Sequence, residues 1–292
     1  MSQSVITPAP RLRLSSWTDL SARLRLTRDD AAVLAAAAVL AISAYFLVFP
    51  GVDIAVSRLF YRPEAGFFLA GDPVLKALRK SSTLVLALLL LGVIGRLIWR
   101  ALRGRSVGAA ARRAMFAVAA LALGPGLVVN LLFKSLWGRA RPVQIDQFGG
   151  DAAFTPAWVI SDACQSNCSF VSGEGSSAAW MVGVLLVVTP ARWRPAVLPL
   201  GLVYALALSM NRLAFGGHFL SDILLSWALT ALVMAGVYRV TAAAPGPGSA
   251  GAPAPSLEPA PPRLRSPLSV TSCRSDRNGL TSRSNVGTDL HD

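Results

Sequence analysis

Six apolar stretches, near 31–50, 82–99, 114–133, 174–190, 196–211 and 219–240, constrain this chain more than any other feature. Each approaches the ~20 residues that a helix needs to cross the hydrocarbon core of a bilayer. The stretches are continuous, rich in Ala and Leu, and lack the roughly ten-residue alternating segments of a membrane barrel, so helices are expected. The fourth begins with small polar residues and the fifth is short. With 53% apolar and 15% charged residues, the chain reads as an all-α, polytopic membrane protein built as a six-helix transmembrane bundle.

A net charge of +13 could suggest nucleic acid as a partner, but the basic residues sit in short clusters between apolar runs. The positive-inside rule explains that placement, and nucleic-acid binding is set aside. Arg11, Arg13, Arg23, Arg25 and Arg28 precede the first stretch, Arg100, Arg103, Arg105, Arg112 and Arg113 follow the second, and Arg192 and Arg194 follow the fourth. These belong in the cytoplasm, which puts both termini inside. The opposite loops also carry cations, among them Arg58, Arg62, Lys76, Arg79 and Lys80.

The first stretch has a long leader, and no small-residue cleavage pattern follows Phe49-Pro50-Gly51, so it reads as a retained span rather than a signal peptide. A bacterial inner membrane is the expected home. Residues 1–29 form a basic cytoplasmic segment and 30–240 the membrane domain; from 241 to 292, Ala, Pro, Gly and Ser dominate, a composition expected to stay disordered in the cytoplasm. No feature specifies an oligomer.

Polar chemistry concentrates at one face. Lys134 and Arg141-Pro142 end the third stretch, Ser172-Gly173-Glu174 begins the fourth, and Arg212, His218 and Asp222 join the fifth to the sixth. Fixed cations beside a histidine at a membrane surface suit an anionic head group such as a phosphate. A Ser-Gly start to a helix can cap it or bring backbone amides to an anion. The i, i+4 spacing puts His218 and Asp222 on one helix face, where an Asp accepting from one ring nitrogen would fix the tautomer and free the other to attack. The bland alternative is a structural His–Asp pair.

Cys164 and Cys168 share the outward loop before the fourth stretch, while Cys273 lies in the tail. The outward pair could close a small disulfide loop if the Cα atoms approach closely enough. Zinc lacks further ligands nearby, and no outward cluster has metal-ligand spacing.

These motifs resemble the three-part signature of the type 2 phosphatidic acid phosphatase family, membrane enzymes related to bacterial acid phosphatases and vanadium haloperoxidases. The first part, Lys, six residues, Arg-Pro, is matched by Lys134, Arg141 and Pro142. The third, Arg, five residues, His, three residues, Asp, is matched by Arg212, His218 and Asp222, with Asn211 where Ser usually precedes. The second, normally Pro-Ser-Gly-His, reads Val171-Ser172-Gly173-Glu174.

The resemblance spans about 30–240 and implies roles. Lys134, Arg141 and Arg212 would hold phosphate oxygens, and Ser172 and Gly173 would add donors. His218 would form a phosphohistidine oriented by Asp222, with no metal or organic cofactor. The family's second-motif histidine is expected to protonate the leaving oxygen. The chain has two histidines, His218 and His291, and His291 lies in the cytoplasmic tail. Glu174 is then the candidate acid, since a carboxyl held protonated at the working pH can do this work.

The expected activity is hydrolysis of a lipid phosphate from the extracytoplasmic side, the substrate being lipid A, undecaprenyl diphosphate, phosphatidylglycerol phosphate or phosphatidic acid. The alternative is a catalytically impaired protein that binds lipid phosphate. The arginine distribution predicts that a reporter fused after residue 150 reads as periplasmic and one fused after 105 as cytoplasmic. The reverse pattern would overturn the orientation.

Overall fold

The computed structural model describes residues 28–243. The expected basic segment and the expected disordered tail lie almost entirely outside them. Six helices make the bundle: α1 (Arg28–Val48), α3 (Pro73–Leu102), α4 (Gly108–Leu136), α5 (Gly173–Val188), α6 (Arg194–Ala214) and α7 (Leu220–Ala243), with a short helix, α2 (Gly51–Arg58), between the first two. A two-stranded antiparallel ribbon, β1 (Tyr61–Arg62) with β2 (Gly66–Phe67), links α2 to α3.

Among the described residues, five helices are long and apolar enough to cross a membrane, and α5, with 16 residues, is a shorter apolar helix. The helices fall where the six apolar stretches are. The second starts nine residues before its expected boundary because Pro73 pre-sets the first helical turn and Asp72 caps it, its carboxylate accepting from the Leu75 amide at 2.9 Å. The polar first turns of α3, which include Lys76, Arg79 and Lys80, are helical although hydropathy does not mark them.

Helices α5 and α7 lie at the centre. α7 packs against α1, α4 and α5, and α5 also meets α3, α4 and α6. Between them Trp180, Met181, Val184, Phe116, Leu208 and Met234 form a buried core, and the Trp180 indole donates to the Ala117 carbonyl at 2.9 Å. Gly183 keeps α5 close to Met234 of α7, where an added Cβ would collide with the thioether. α1 and α3 are peripheral and turn Leu40, Leu84, Leu88 and Leu91 outward, as lipid-facing helices do.

α4 changes character halfway. From Ala122 to Phe133 it widens into π-helical turns around Pro125, which has no amide to offer the preceding turn. The Asn130 side chain donates to the Pro125 carbonyl at 2.7 Å. The helix then tightens again at Lys134, delivering that lysine to the end of the bundle.

That end is tied together by a fully buried arginine. Arg139 donates to Asp222 at 2.7 Å, to the Ser221 hydroxyl at 2.8 Å, to Asp53 at 2.9 Å and to the Thr155 carbonyl at 2.7 Å. Its guanidinium lies 4.3 Å from the centre of the Phe219 ring. Asp53 also accepts from the Ser221 amide at 2.8 Å and the Ser221 hydroxyl at 2.5 Å, so α2 is stapled to the start of α7. Removing one partner from such a set leaves charge buried and uncompensated, at a cost of about 3–5 kcal/mol. Arg139→Met should therefore lower the thermal midpoint of the detergent-solubilised protein sharply, and adding Asp53→Asn to it should recover part of the loss. A single variant as stable as wild type would show that the cluster does not hold this end.

Candidate active site

Every residue singled out from the sequence for phosphate chemistry comes to this end of the bundle. Lys134 and Arg141 flank the loop after α4, Ser172, Gly173 and Glu174 start α5, Arg212 ends α6, and His218 and Asp222 open α7. The loop before α5 is joined through its backbone to the connection before α7 and to the start of α7: the Val143 amide donates to the Gly216 carbonyl at 3.1 Å, and the Ser172 amide to the Asp222 carbonyl at 3.1 Å.

Four cations surround the opening, and each pair faces the oxygens of one residue, Asn167 or Glu174. Lys134 donates to the Asn167 side-chain oxygen at 3.0 Å, and Arg141 to the Asn167 carbonyl at 2.6 Å. Arg79 donates to one Glu174 oxygen at 3.0 Å, while Nε of Arg212 lies 3.2 Å from the other. The Arg212–Glu174 contact is misaligned, so both atoms are buried without a hydrogen-bond partner. Burial, and then the neighbouring Arg79, weaken the hold of Arg141 on its proton. Crowded cations of this kind favour an incoming anion.

Two glycines make the cradle possible. A Cβ at Gly173 would stand 2.9 Å from the Asn130 side-chain oxygen and 3.2 Å from the Lys134 ammonium. At Gly217 it would collide with the Arg212 guanidinium, which lies over the backbone there. Ser172 is fully buried, and its hydroxyl accepts from the Gly175 amide at 3.1 Å, so the side chain caps α5. Of the two readings of the Ser-Gly helix start, capping accounts for this contact.

His218 is 2% exposed. Its Nδ1 lies 2.7 Å from the Ser169 carbonyl and 3.8 Å from Asp222. A carbonyl only accepts, so Nδ1 carries the proton and Nε2 is the nitrogen left with a free lone pair. The sequence placed Asp222 directly on the ring; in the structure its oxygens are occupied by Arg139, by the Ser169 hydroxyl at 2.6 Å and by the Phe219 amide at 2.9 Å. Asp222 thus acts on His218 through its field and by positioning Ser169, whose carbonyl holds the ring.

The pair Cys164 and Cys168 has Cα atoms 5.6 Å apart and sulfurs within bonding distance, the geometry of a disulfide. The small loop they close contains Asn167. Sequence reasoning missed the parts played by Asn167, Ser169, Asp53 and Arg139, and it read Arg79 only as a complication to orientation. One signal was present: Arg139 lies inside the Lys134-to-Arg141 motif.

A cavity of about 710 Å³ opens beside the cradle, its lining including Lys76, Arg79, Lys80, Asn130, Lys134 and Glu174. That volume suits a whole head group rather than a bare phosphate.

With this geometry in view, the comparisons with known proteins fall into place. The PAP2 superfamily pattern matches residues 113–245. The chain is 35% identical over 222 residues to proteins called lipid A 4'-phosphatase from Rhizobium etli, covering 69% of this chain and 83% of that one, and from Rhizobium leguminosarum, covering 69% and 92%. It is also 35% identical over 185 residues to the lipid A 4'-phosphatase of Francisella tularensis subsp. novicida, covering 61% of this chain and 81% of that one. No solved structure matches significantly. The chain belongs to the PAP2 superfamily. It is a multi-pass membrane lipid phosphatase, a phosphoric ester hydrolase.

Burial drives the His218 pKa from 6.5 down to about 4, against the opposing pull of Asp222. The unfolded chain takes up this proton near 6.5 and the folded one only near 4, so His218 contributes stability that is complete above about pH 6.5 and is lost as pH falls through that window. In protein labelled with nitrogen-15 at histidine and carrying His291→Gln, the remaining imidazole should stay neutral, protonated at Nδ1, down to about pH 5. A midpoint near 6.5 would refute the buried, neutral nucleophile.

Proposed function

We propose that this protein hydrolyses a phosphomonoester of a lipid at the extracytoplasmic face of a bacterial inner membrane, through a phosphohistidine on His218, and that its lipid is of the lipid A class. The observation that carries the chemistry is the pairing of a Nδ1-locked, neutral His218 with four cations whose present partners are an amide side chain, a backbone carbonyl and one carboxylate. The lipid class is supported by the names of the relatives, and the orientation by the arginine distribution.

In this reading Glu174 takes the place on Arg79 and Arg212 that two phosphate oxygens would take. An arriving phosphate takes Arg79 and Arg212, releasing the carboxyl and bringing negative charge beside it. A phosphate monoester has a second pKa of about 6, so part of the substrate arrives as the monoanion and can supply the proton that Glu174 needs. Nε2 of His218 then attacks phosphorus, the bond to the lipid oxygen breaks, and Glu174 gives that oxygen its proton. The phosphoimidazolium carries positive charge, which the Asp222 carboxylate, 3.8 Å from Nδ1, stabilises. Water, deprotonated by Glu174, attacks phosphorus; the P–N bond breaks, inorganic phosphate leaves with the proton that Glu174 had taken, Glu174 returns to its arginines and His218 returns neutral.

Replacing the acid tests the assignment. Glu174→Gln should lose about 10²- to 10⁴-fold in phosphate release from a lipid monoester, the usual worth of general acid catalysis, and much less on an aryl phosphate whose leaving oxygen hardly needs a proton. His218→Ala should lose both activities and the acid-labile phosphoprotein. Equal activity of Glu174→Gln and wild type on lipid at every pH would remove the carboxyl from the role, and near wild-type turnover by His218→Ala would remove the covalent intermediate.

A further inference from the structure

Resting on the phosphatase reading, we propose that Lys76 and Lys80 form a second anion subsite, which takes an acidic group neighbouring the scissile phosphate on the head group of the same lipid. Both lysines line the cavity that Lys134 and Glu174 also line, so the phosphate cradle and this wall belong to one space. They sit four residues apart on α3, on one face, with Arg79 between them reaching the cradle itself.

Charge balance makes the case for a second group. A phosphate dianion that takes Arg79 and Arg212 from Glu174, with Lys134 and Arg141 beside it, already faces four cations with two negative charges. Lys76 and Lys80 add two more, and among the described residues no carboxylate lies within ion-pair distance of either. Asp72, one turn before Lys76, is committed to capping α3. Lys76 and Lys80 are exposed, and with no carboxylate of the protein beside them their ammonium groups, on the wall of a cavity of head-group size, are available to a carboxylate or a second phosphate on the substrate. Ser82, Thr83 and Asn130, on the same lining, offer hydrogen bonds to the uncharged remainder of the head group.

The test compares two synthetic lipid phosphomonoesters with identical chains in neutral-detergent micelles. One carries a free carboxylate beside the phosphate and the other its methyl ester. Equilibrium binding and kcat/KM for phosphate release are both measured, as the ratio of acid to ester. Wild type should favour the acid by about tenfold. In the Lys76→Gln/Lys80→Gln double variant the ratio should fall to near one, and in Lys76→Arg/Lys80→Arg it should be kept. A ratio does not depend on the fraction of protein folded, and if the double variant cannot be made the two single variants carry the same comparison.

No preference in wild type, or a preference that persists in the Gln variants, would overturn the proposal. So would a loss shared equally by both lipids and seen only in anionic vesicles, which would assign the lysines to bilayer head groups. If wild type binds the acid preferentially yet releases phosphate from neither lipid, the catalytic reading fails while the subsite stands.

Discussion

The buried guanidinium of Arg139 is the interaction on which the catalytic end depends. It lies between two carboxylates, Asp53 and Asp222, with all three side chains fully withdrawn from solvent. Two negative groups would repel each other in that space, and a lone arginine would be strongly destabilising. Together, with hydrogen bonds from Ser221 and Ser169 completing the carboxylates, they form a satisfied network that joins α2, the loop after α4 and the start of α7. Its consequence for chemistry is indirect but specific. With Asp222 held by Arg139, the Ser169 hydroxyl binds Asp222 while the Ser169 carbonyl binds the His218 ring, so the tautomer is set by a backbone group whose position the ion network determines.

Around that rigid base the anion-binding groups are held by replaceable partners. Asn167 spans Lys134 and Arg141, and Glu174 spans Arg79 and Arg212. The contrast is one of burial. Arg139 shows no exposed surface, whereas the Arg79 side chain is 49% exposed and that of Glu174 27%, so their ion pair is screened by water and contributes little. A phosphate can displace it cheaply. The deeply buried network keeps the histidine in place, and Asn167 and Glu174 space the cations at the opening.

The second-motif glutamate fits this division. A histidine at this position in the family is expected to act as an acid; here the carboxyl is at once the candidate proton donor and the ion-pair partner of Arg79 and Arg212. Both properties follow from its place at the first turn of α5, beside Arg79 on one neighbour and Arg212 on another. Gly173, one residue earlier, lets Lys134 approach.

By itself the sequence determined the membrane bundle and the identity of the motif residues, because continuous apolar runs in lipid admit only helices and because Lys134, Arg141, Arg212, His218 and Asp222 stand at spacings meaningful without coordinates. It also placed Glu174 at the site. Only the tertiary structure decided which oxygen holds His218, since Ser169 lies 49 residues away in the chain. The same holds for Asp53, which is 86 residues from the Arg139 it neutralises, and for Arg79, 95 residues from Glu174. Periodicity and motif spacing report local geometry along one helix or one loop, whereas these partners are set by which helix ends the packing of α5 and α7 brings together. The lysines of α3 were visible as charges from the start, and it took the fold to place them on the wall of the cavity beside the phosphate cradle.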